Sequence, residues 1–337
     1  MYIQKINQMK KKKYNYGSAI LSAFEYLLKN YNETFVIGQG LWSPWYVGNT
    51  MTDLDKKFGK HRIIDTPISE SATTGAAVGA SLSGMKPIVV HPRMDFMLYA
   101  MDSIVNQAAK WSQMFGAQAN PQLTIRGIIN RGGEQGAQHS QALHAWFAHV
   151  PGLRVVMPST VADARDLLIA SVICKDPVIY IDDRWLYDQE DFLPPISEIE
   201  LKAQKPLITS SGKDITILAS GYSSYLVRKA NIKLKKMSIY PEIIDIRVLN
   251  PLYIKDIIKS VKKTQKLLVV DPGWTSSGFS AELVSKVVEN LDPKTLSTPP
   301  KRIALPDASA PTPRILEKEY YTSEDEIVSV VKKMFKI

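Results

Sequence analysis

Short apolar runs alternate with helical segments along most of the chain, and this alternation restricts the fold more than any other feature. Apolar runs over residues 34–40, 87–90, 123–129 and 177–182 have the length of buried strands, and residues with helical spacing lie between them. Strands that alternate with helices in this way predict a parallel sheet covered by helices on both faces.

The alternation is interrupted once, in a segment rich in polar residues. Residues 187–212 contain two successive prolines and no sustained period, which predicts a linker with one edge strand. Alternation then resumes as far as a Pro-rich segment, predicted to form turns, and a last amphipathic helix. The fold class predicted is therefore α/β with two doubly wound domains. A flexible basic N-terminus (1–13) precedes a parallel-sheet domain (14–186), and a smaller domain (213–337) follows the linker.

Composition excludes several functional classes. The chain has 337 residues, a net charge of +9 and one cysteine, Cys174, so it has no internal disulfide and we expect a reducing, cytoplasmic location. Its lysines are interleaved with aliphatic residues, not with stacking aromatics, so we expect no nucleic-acid partner. No apolar run reaches the ~18 residues of a membrane span, and we expect neither a membrane partner nor a secretory signal.

A carboxylate, Glu70, stands between a Pro-containing turn and a helix of small residues predicted over 75–84. Small residues let backbones approach closely, so Glu70 could be buried there with a raised pKa, as functional carboxyls are. The alternative is that Glu70 caps a helix that begins near Ser71. Spacing favours neither interpretation.

His139 is the strongest histidine candidate, because it ends the glycine-rich loop NRGGEQG, where a ligand can approach the backbone. Its alternative role is to start a helix predicted over 140–148. His91 follows a strand and could face the same site, whereas His144 and His149 are predicted to pack or cap. Glu70, the loop after Val90 and His139 all follow strand ends, where ligands bind in such sheets. No phosphate-binding loop, zinc spacing or nucleophile elbow is found.

Five segments, in order, identify a family: DTPISE, VNQAAK, QHSQ, AWFAHVPGLRVVMP and DPVIYI. They resemble the beta subunits of the thiamine-diphosphate-dependent 2-oxo acid dehydrogenases of the pyruvate and acetoin type, and DIRVLNPL and VVDPGWTSSGFSAEL extend the likeness over about residues 18–335. The resemblance implies a pyrimidine-binding domain followed by a transketolase C-terminal-type domain. It also implies an enzyme that, with an alpha subunit, oxidatively decarboxylates a pyruvate-like 2-oxo acid and acylates lipoyl.

The resemblance also implies roles for single residues. Glu70 matches the glutamate that hydrogen-bonds the cofactor's aminopyrimidine and acts in acid–base catalysis. Phe96 matches an aromatic residue that packs on the aminopyrimidine, and Ile68 matches an apolar contact beside it. His139 matches a histidine near the substrate and the lipoyl group, so Glu70 and His139 are the predicted catalytic residues. No residue of this chain is predicted to bind metal.

A missing motif implies partners. The family's magnesium-diphosphate clamp contains Gly-Asp-Gly, which this chain lacks, and in the family it lies on the alpha subunit. The resemblance therefore implies thiamine diphosphate shared between subunits, magnesium held mainly by the alpha subunit, a heterotetramer of two alpha and two beta chains, and a lipoyl acyltransferase core as a further partner. The helices predicted over 75–84 and 101–114 are the candidate interface elements.

Two alternatives stay open: the C-terminal half of a split transketolase-like enzyme that acts on sugar phosphates, and a non-catalytic scaffold of the same fold. Arg93, Asp95 and Glu134 depart from the family's usual pattern near the predicted site, and they leave the identity of the substrate open. The segment SVICKD leaves the family's potassium site open as well.

Overall fold

The structure is a computed structural model that describes residues 13–337. The basic segment expected to be flexible lies outside the described residues except for Lys13, which begins the first strand. Within the described part, the strands in chain order are β1 (Lys13–Asn15), β2 (Thr34–Gly38), β3 (Ile63–Asp65), β4 (Lys86–His91), β5 (Thr124–Ile129), β6 (Arg154–Val156), β7 (Val178–Asp183), β8 (Glu190–Phe192), β9 (Leu207–Ser210), β10 (Ile215–Ala219), β11 (Pro241–Asp245), β12 (Val248–Asn250), β13 (Leu267–Trp274) and β14 (Lys301–Leu305).

Most helices lie between strands, as the alternation predicted. In chain order the α-helices of residues 13–337 are α1 (Tyr16–Asn30), α2 (Leu54–Phe58), α3 (Glu70–Leu82), α4 (Trp111–Met114), α5 (His144–Ala148), α6 (Val161–Ile173), α7 (Gly221–Lys236), α8 (Lys255–Thr264), α9 (Phe279–Glu289), α10 (Arg314–Tyr320) and α11 (Glu324–Phe335). The first of them begins where the Asn15 side chain accepts a hydrogen bond of 2.7 Å from the backbone N–H of Ser18, as an N-cap residue does.

The first sheet has seven strands in the order β12-β6-β7-β5-β4-β2-β3, and all its pairs except β12–β6 are parallel. Neighbouring residues of one strand face opposite layers: Ile88 packs with α1 and α6, whereas Val89 packs with α3. Helices therefore cover both faces of the sheet, which is why its strands consist almost entirely of buried residues.

The second sheet has five strands in the order β14-β13-β10-β11-β9, of which only β9 is antiparallel. Helices α7 and α11 cover one face, and α8 and α9 cover the other. That second layer belongs to the same apolar cluster as α3 and Met97 of the first domain, so one core runs between the two domains.

The segments predicted as linker and as turns contain regular structure. β8 pairs with β1, and β9 joins the second sheet. The prediction of turns alone before the last helix was wrong, because β14 pairs with β13 there and α10 follows Pro313. The flanking prolines concealed a short edge strand in which only Ile303 and Leu305 are buried.

The prediction of one continuous helix over residues 101–114 was also wrong. A 3₁₀-helix, Met94–Ala100, leads into a π-helical segment, Asp102–Ala108, before α4. Met94, Met97 and Ala100 are buried and recur every three residues, which is the 3₁₀ period. This winding turns Phe96 away from those three buried side chains and toward the carboxyl end of the sheet.

Buried polar side chains hold the two domains together. His144 Nε2 lies 2.9 Å from Asp271 Oδ1, and both side chains are almost fully buried. Arg131 pairs with Asp183, donates to the Pro272 carbonyl and lies over the ring of Tyr321. Among the described residues, no helix is long and apolar enough to cross a membrane.

Candidate active site

A cleft of about 540 Å³ opens at the carboxyl ends of β2, β3 and β4. It is lined by Gly38, Gln39, Tyr46, Thr66, Pro67, Ile68, Ser69, Glu70, Thr73, Val90, His91, Pro92, Arg93, Phe96, Tyr99 and His139. The four residues predicted for the site, Ile68, Glu70, Phe96 and His139, are therefore brought together from three separate segments. The roles predicted for them remain predictions.

The floor of the cleft depends on a close approach between two strands. Gly38 ends β2 beside Val90 of β4, and a Cβ at Gly38 would lie 2.3 Å from the Val90 carbonyl oxygen. Only glycine fits there, so the ends of β2 and β4 stay close together at the floor of the cleft.

Glu70 is the first residue of α3, directly after its N-cap residue Ser69. The carboxylate is half-buried, lines the cleft and is favoured by the positive end of the helix dipole. Both sequence interpretations therefore describe part of its position: Glu70 starts the helix, and it also faces the cleft. Glu70 is not the capping residue itself.

Phe96 and His139 form one wall. Their rings meet edge to face with centroids 5.4 Å apart, which is a favourable aromatic geometry. His139 does not stand at the start of a helix, because α5 begins only at His144. The prediction of a helix over 140–148 was wrong in its first four residues.

Asp95 explains why the chain after His139 is not helical. Its Oδ1 accepts hydrogen bonds from the backbone N–H of Gln141 at 3.1 Å and from Gln141 Nε2 at 2.9 Å. Burial raises the pKa of Asp95, and the Gln141 hydrogen bonds and the charge of His139 oppose that rise. Asp95 thus ties the loop that carries His139 to the segment that carries Phe96.

His91 lines the cleft as a neutral group. Burial lowers its pKa to about 4, and its Nε2 lies 3.2 Å from Thr74 Oγ1. His144, predicted to pack or cap, is buried against the ring of Phe279 and also pairs with Asp271 outside the cleft. Desolvation raises the pKa of Asp271, but His144 and two backbone N–H groups outweigh it, so the net shift is downward.

Sequence reasoning missed the loop after β2. Tyr46 lines the cleft, and its hydroxyl accepts a 2.8 Å hydrogen bond from Gln39 Nε2. The signal was present as the cluster LWSPWY directly after a strand end, since aromatic residues on such a loop favour a binding role.

The cleft suits a flat, nitrogen-containing ring. Ile68 is 73% exposed and offers an apolar surface, Phe96 offers an aromatic one, and Glu70 offers a carboxyl group for a ring nitrogen. Within residues 13–337, no group of three or more His, Cys, Asp or Glu side chains could hold a metal ion.

Comparisons with known proteins identify the family to which this fold belongs. The family model "Transketolase, pyrimidine binding domain" matches residues 12–189, and "Transketolase, C-terminal domain" matches residues 204–327. The pyruvate dehydrogenase E1 component subunit beta of Rhizobium meliloti is 35% identical over 89% of this chain, which spans 65% of the length of that protein. The mitochondrial subunit beta of Saccharomyces cerevisiae is 34% identical over 95% of this chain and 88% of its own length.

Among solved structures, "Split gene transketolase, inactive beta4 tetramer" superposes with a TM-score of 0.77 over 95% of this chain and 97% of that one, at 18% identity. The fold and the cleft thus define a two-domain protein of the transketolase type. The chain belongs to the family of the pyruvate dehydrogenase E1 component beta subunits. The resemblance and the fold class predicted from sequence are confirmed. Membership implies thiamine diphosphate as cofactor and an alpha subunit as partner.

Proposed function

We propose that this chain is the beta subunit of a 2-oxo acid dehydrogenase first component of the pyruvate dehydrogenase type. With an alpha subunit it would oxidatively decarboxylate a 2-oxo acid and transfer the acyl group to lipoyl on an acyltransferase core. The observation that carries the proposal is the convergence of Glu70, Ile68, Phe96 and His139 on one cleft. The relatives named above support the same activity and not the sugar-phosphate or scaffold alternatives.

The side chains have complementary tasks. When bound, thiamine diphosphate supplies the nucleophilic carbon and the electron sink that decarboxylation of a 2-oxo acid needs. Glu70 would share a proton with a ring nitrogen of the aminopyrimidine, and Phe96 and Ile68 would hold its two apolar faces. His139 would donate a proton or stabilise negative charge near the substrate. Phe96 restricts the ring motion of His139, because the two rings touch.

The cleft supports a site completed by another subunit. Ile68 and Tyr99 line it and are 73% and 72% exposed, and apolar groups of this size favour a partner that covers them. The adjoining face of α3 carries the exposed small residues Ala72, Ala76 and Gly79. We propose that an alpha subunit packs there, holds magnesium and the diphosphate, and forms a heterotetramer of two alpha and two beta chains. We also propose a cytoplasmic location, since one cysteine leaves no internal disulfide.

The test is reconstitution. The chain alone should neither decarboxylate pyruvate or branched 2-oxo acids nor cleave acetoin, and adding an alpha subunit that carries Gly-Asp-Gly should produce activity. Glu70→Gln should lower kcat by about 10²- to 10⁴-fold, the usual contribution of a positioned acid–base group.

A matched control is Glu324→Gln, since Glu324 is the first residue of α11 as Glu70 is of α3, but lies far from the cleft. Calorimetric titration with thiamine diphosphate separates cofactor binding from catalysis. If Glu70→Gln turned over within a few-fold of wild type, the acid–base role would be refuted.

A further inference from the structure

Arg93 is a half-buried cation in the wall of the cleft, between the strand end at His91 and the aromatic ring of Phe96. The side-chain oxygen of Asn130 accepts from both terminal nitrogens of Arg93, in the amide orientation that its surroundings favour. Within residues 13–337 no ion pair joins Arg93 to a carboxylate. The charge of Asp95 raises the pKa of Arg93, but no ion pair forms: Asp95 Oδ1 accepts from Gln141, and its Oδ2 is buried without a hydrogen-bond partner.

Arg184 adds a second positive charge behind the same wall. One of its terminal nitrogens donates to the backbone carbonyl of Tyr46, a residue that lines the cleft. Its Nε is buried and has no hydrogen-bond partner. Burial lowers the pKa of Arg93, and repulsion by the charge of Arg184 lowers it further; Tyr46 and Asp95 oppose this, and the net shift is downward.

The two acids that directly precede Arg184 in the chain are already engaged. Asp182 forms a fully buried pair with Arg126, and Asp183 pairs with Arg131. Both carboxylates lie at the end of β7, directly before Arg184 in the chain. Two like charges, one of which lines an open cleft without an ion-pair partner, are an arrangement that an anionic group of a ligand stabilises.

The inference rests on the function proposed above and names its substrate class. We propose that Arg93, supported by Arg184, selects a 2-oxo acid that carries a second anionic group, a carboxylate or a phosphate, at the end away from the reacting carbonyl. The reacting 2-oxo acid group would lie by His139, and the second anion would lie against the Arg93 guanidinium. Arg93 is then a specificity-determining residue, and Arg184 is a positioning residue that raises the positive potential.

The test compares substrates that differ only in the distal group, using the reconstituted complex. 2-Oxoglutarate and 2-oxopentanoate have the same chain length, and 2-oxoadipate and 2-oxohexanoate form a second such pair. 2-Oxo-4-phosphonobutanoate tests a phosphate-like group in place of the carboxylate. For at least one type of distal anion, we expect kcat/KM to exceed that of the neutral substrate of the same chain length by about 10-fold or more. This is the effect that one hydrogen bond to a charged group provides.

Variants test whether the preference for a second anionic group depends on the arginines at the cleft. The ratio of kcat/KM for the anionic substrate to that for its neutral counterpart measures this preference. Arg93→Met should abolish most of the ratio, chiefly by raising KM for the anionic substrate. Arg93→Lys should keep part of it, because lysine retains the positive charge but lacks the planar guanidinium group. Arg184→Met should lower the ratio less than Arg93→Met. Arg302→Met, a change of an exposed arginine on β14, is the matched control and should leave the ratio unchanged.

Each other outcome has a distinct meaning. If wild type preferred the neutral substrates, this inference would fail while the proposed function stood. If no 2-oxo acid were decarboxylated although thiamine diphosphate bound, the proposed function would fail, and this inference with it. If Arg93→Met weakened thiamine diphosphate binding by 10-fold, or dissociated the subunits in sedimentation, the arginine would serve the cofactor or a partner carboxylate, and substrate selection would be refuted.

Discussion

The buried pair Arg126–Asp182 offers the sharpest test of what holds the first domain together. Arg126 on β5 donates from Nε and Nη2 to the two carboxylate oxygens of Asp182 on β7, each at 2.8 Å. Its Nη1 donates to Thr50 Oγ1 at 2.8 Å, and Nη2 also donates to the Tyr187 hydroxyl at 2.9 Å. Both side chains of the pair are fully buried.

Arg126→Met should lower the free energy of unfolding by about 3–5 kcal/mol, the usual effect of removing one partner of a buried pair. Methionine keeps most of the side-chain volume, so the loss comes from Asp182. That carboxylate would keep the Tyr187 hydroxyl as a donor but would have no cation beside it. Adding Asp182→Asn removes the stranded charge, so the double variant should be more stable than Arg126→Met alone by about 1–3 kcal/mol.

Urea-induced unfolding followed by tryptophan fluorescence measures these changes, because five of the six tryptophans lie before residue 187 and report on the first domain. The control is Arg154→Met on β6, whose pair with Asp176 is partly exposed and should contribute no more than about 1 kcal/mol. A loss below 1 kcal/mol for Arg126→Met, or a double variant less stable than the single one, would refute the reasoning.

Two further predictions concern pH and packing. Burial lowers the pKa of His91 in the folded state to about 4, below its unfolded value, so the unfolded state binds the proton first as pH falls. The free energy of unfolding should therefore decrease between about pH 6.5 and pH 4, by up to about 3 kcal/mol. His91→Asn should flatten the pH dependence of urea unfolding in that window, and an unchanged slope would contradict the prediction. Leu234→Ala on α7 should lower the free energy of unfolding by about 2–5 kcal/mol, because the Leu234 side chain is fully buried. Ile232→Ala on the same helix is the control and should change it by less than about 0.5 kcal/mol, because 59% of Ile232 is exposed. Equal losses in the two variants would show that burial does not decide the effect.

The local sequence pattern was enough to predict an element correctly where that element packs against a continuous layer. Helix α1 follows from the sequence alone, because Ala19, Ile20 and Phe24 repeat at helical spacing toward one face of the sheet. The family and the two-domain α/β fold were also predictable, since motifs in fixed order extend over most of the chain. Glu70 and His139 were proposed for one sheet edge because both follow strand ends, and the structure lines one cleft with them.

Local pattern failed where distant residues decide the conformation. Residues 140–143 have helical spacing, but Asp95, more than 40 positions earlier, engages Gln141 and keeps them out of a helix. Similarly, β12 lies within the second domain's sequence and yet pairs with β6 at the edge of the first sheet. Neither partner could be identified from sequence, because hydrogen bonds between separate segments leave no periodic signal.

Sequence by itself determined the alternation of strands and helices, the family and the acid and histidine offered for the site, because these depend on residue order and short-range spacing. Tertiary structure alone decided which charges are neutralised and which are not. Arg126 and Arg131 find buried carboxylates across the sheet, while Arg93 and Arg184 do not. Ionic pairing depends on distances of a few ångströms between residues far apart in the chain, and only the folded chain sets those distances.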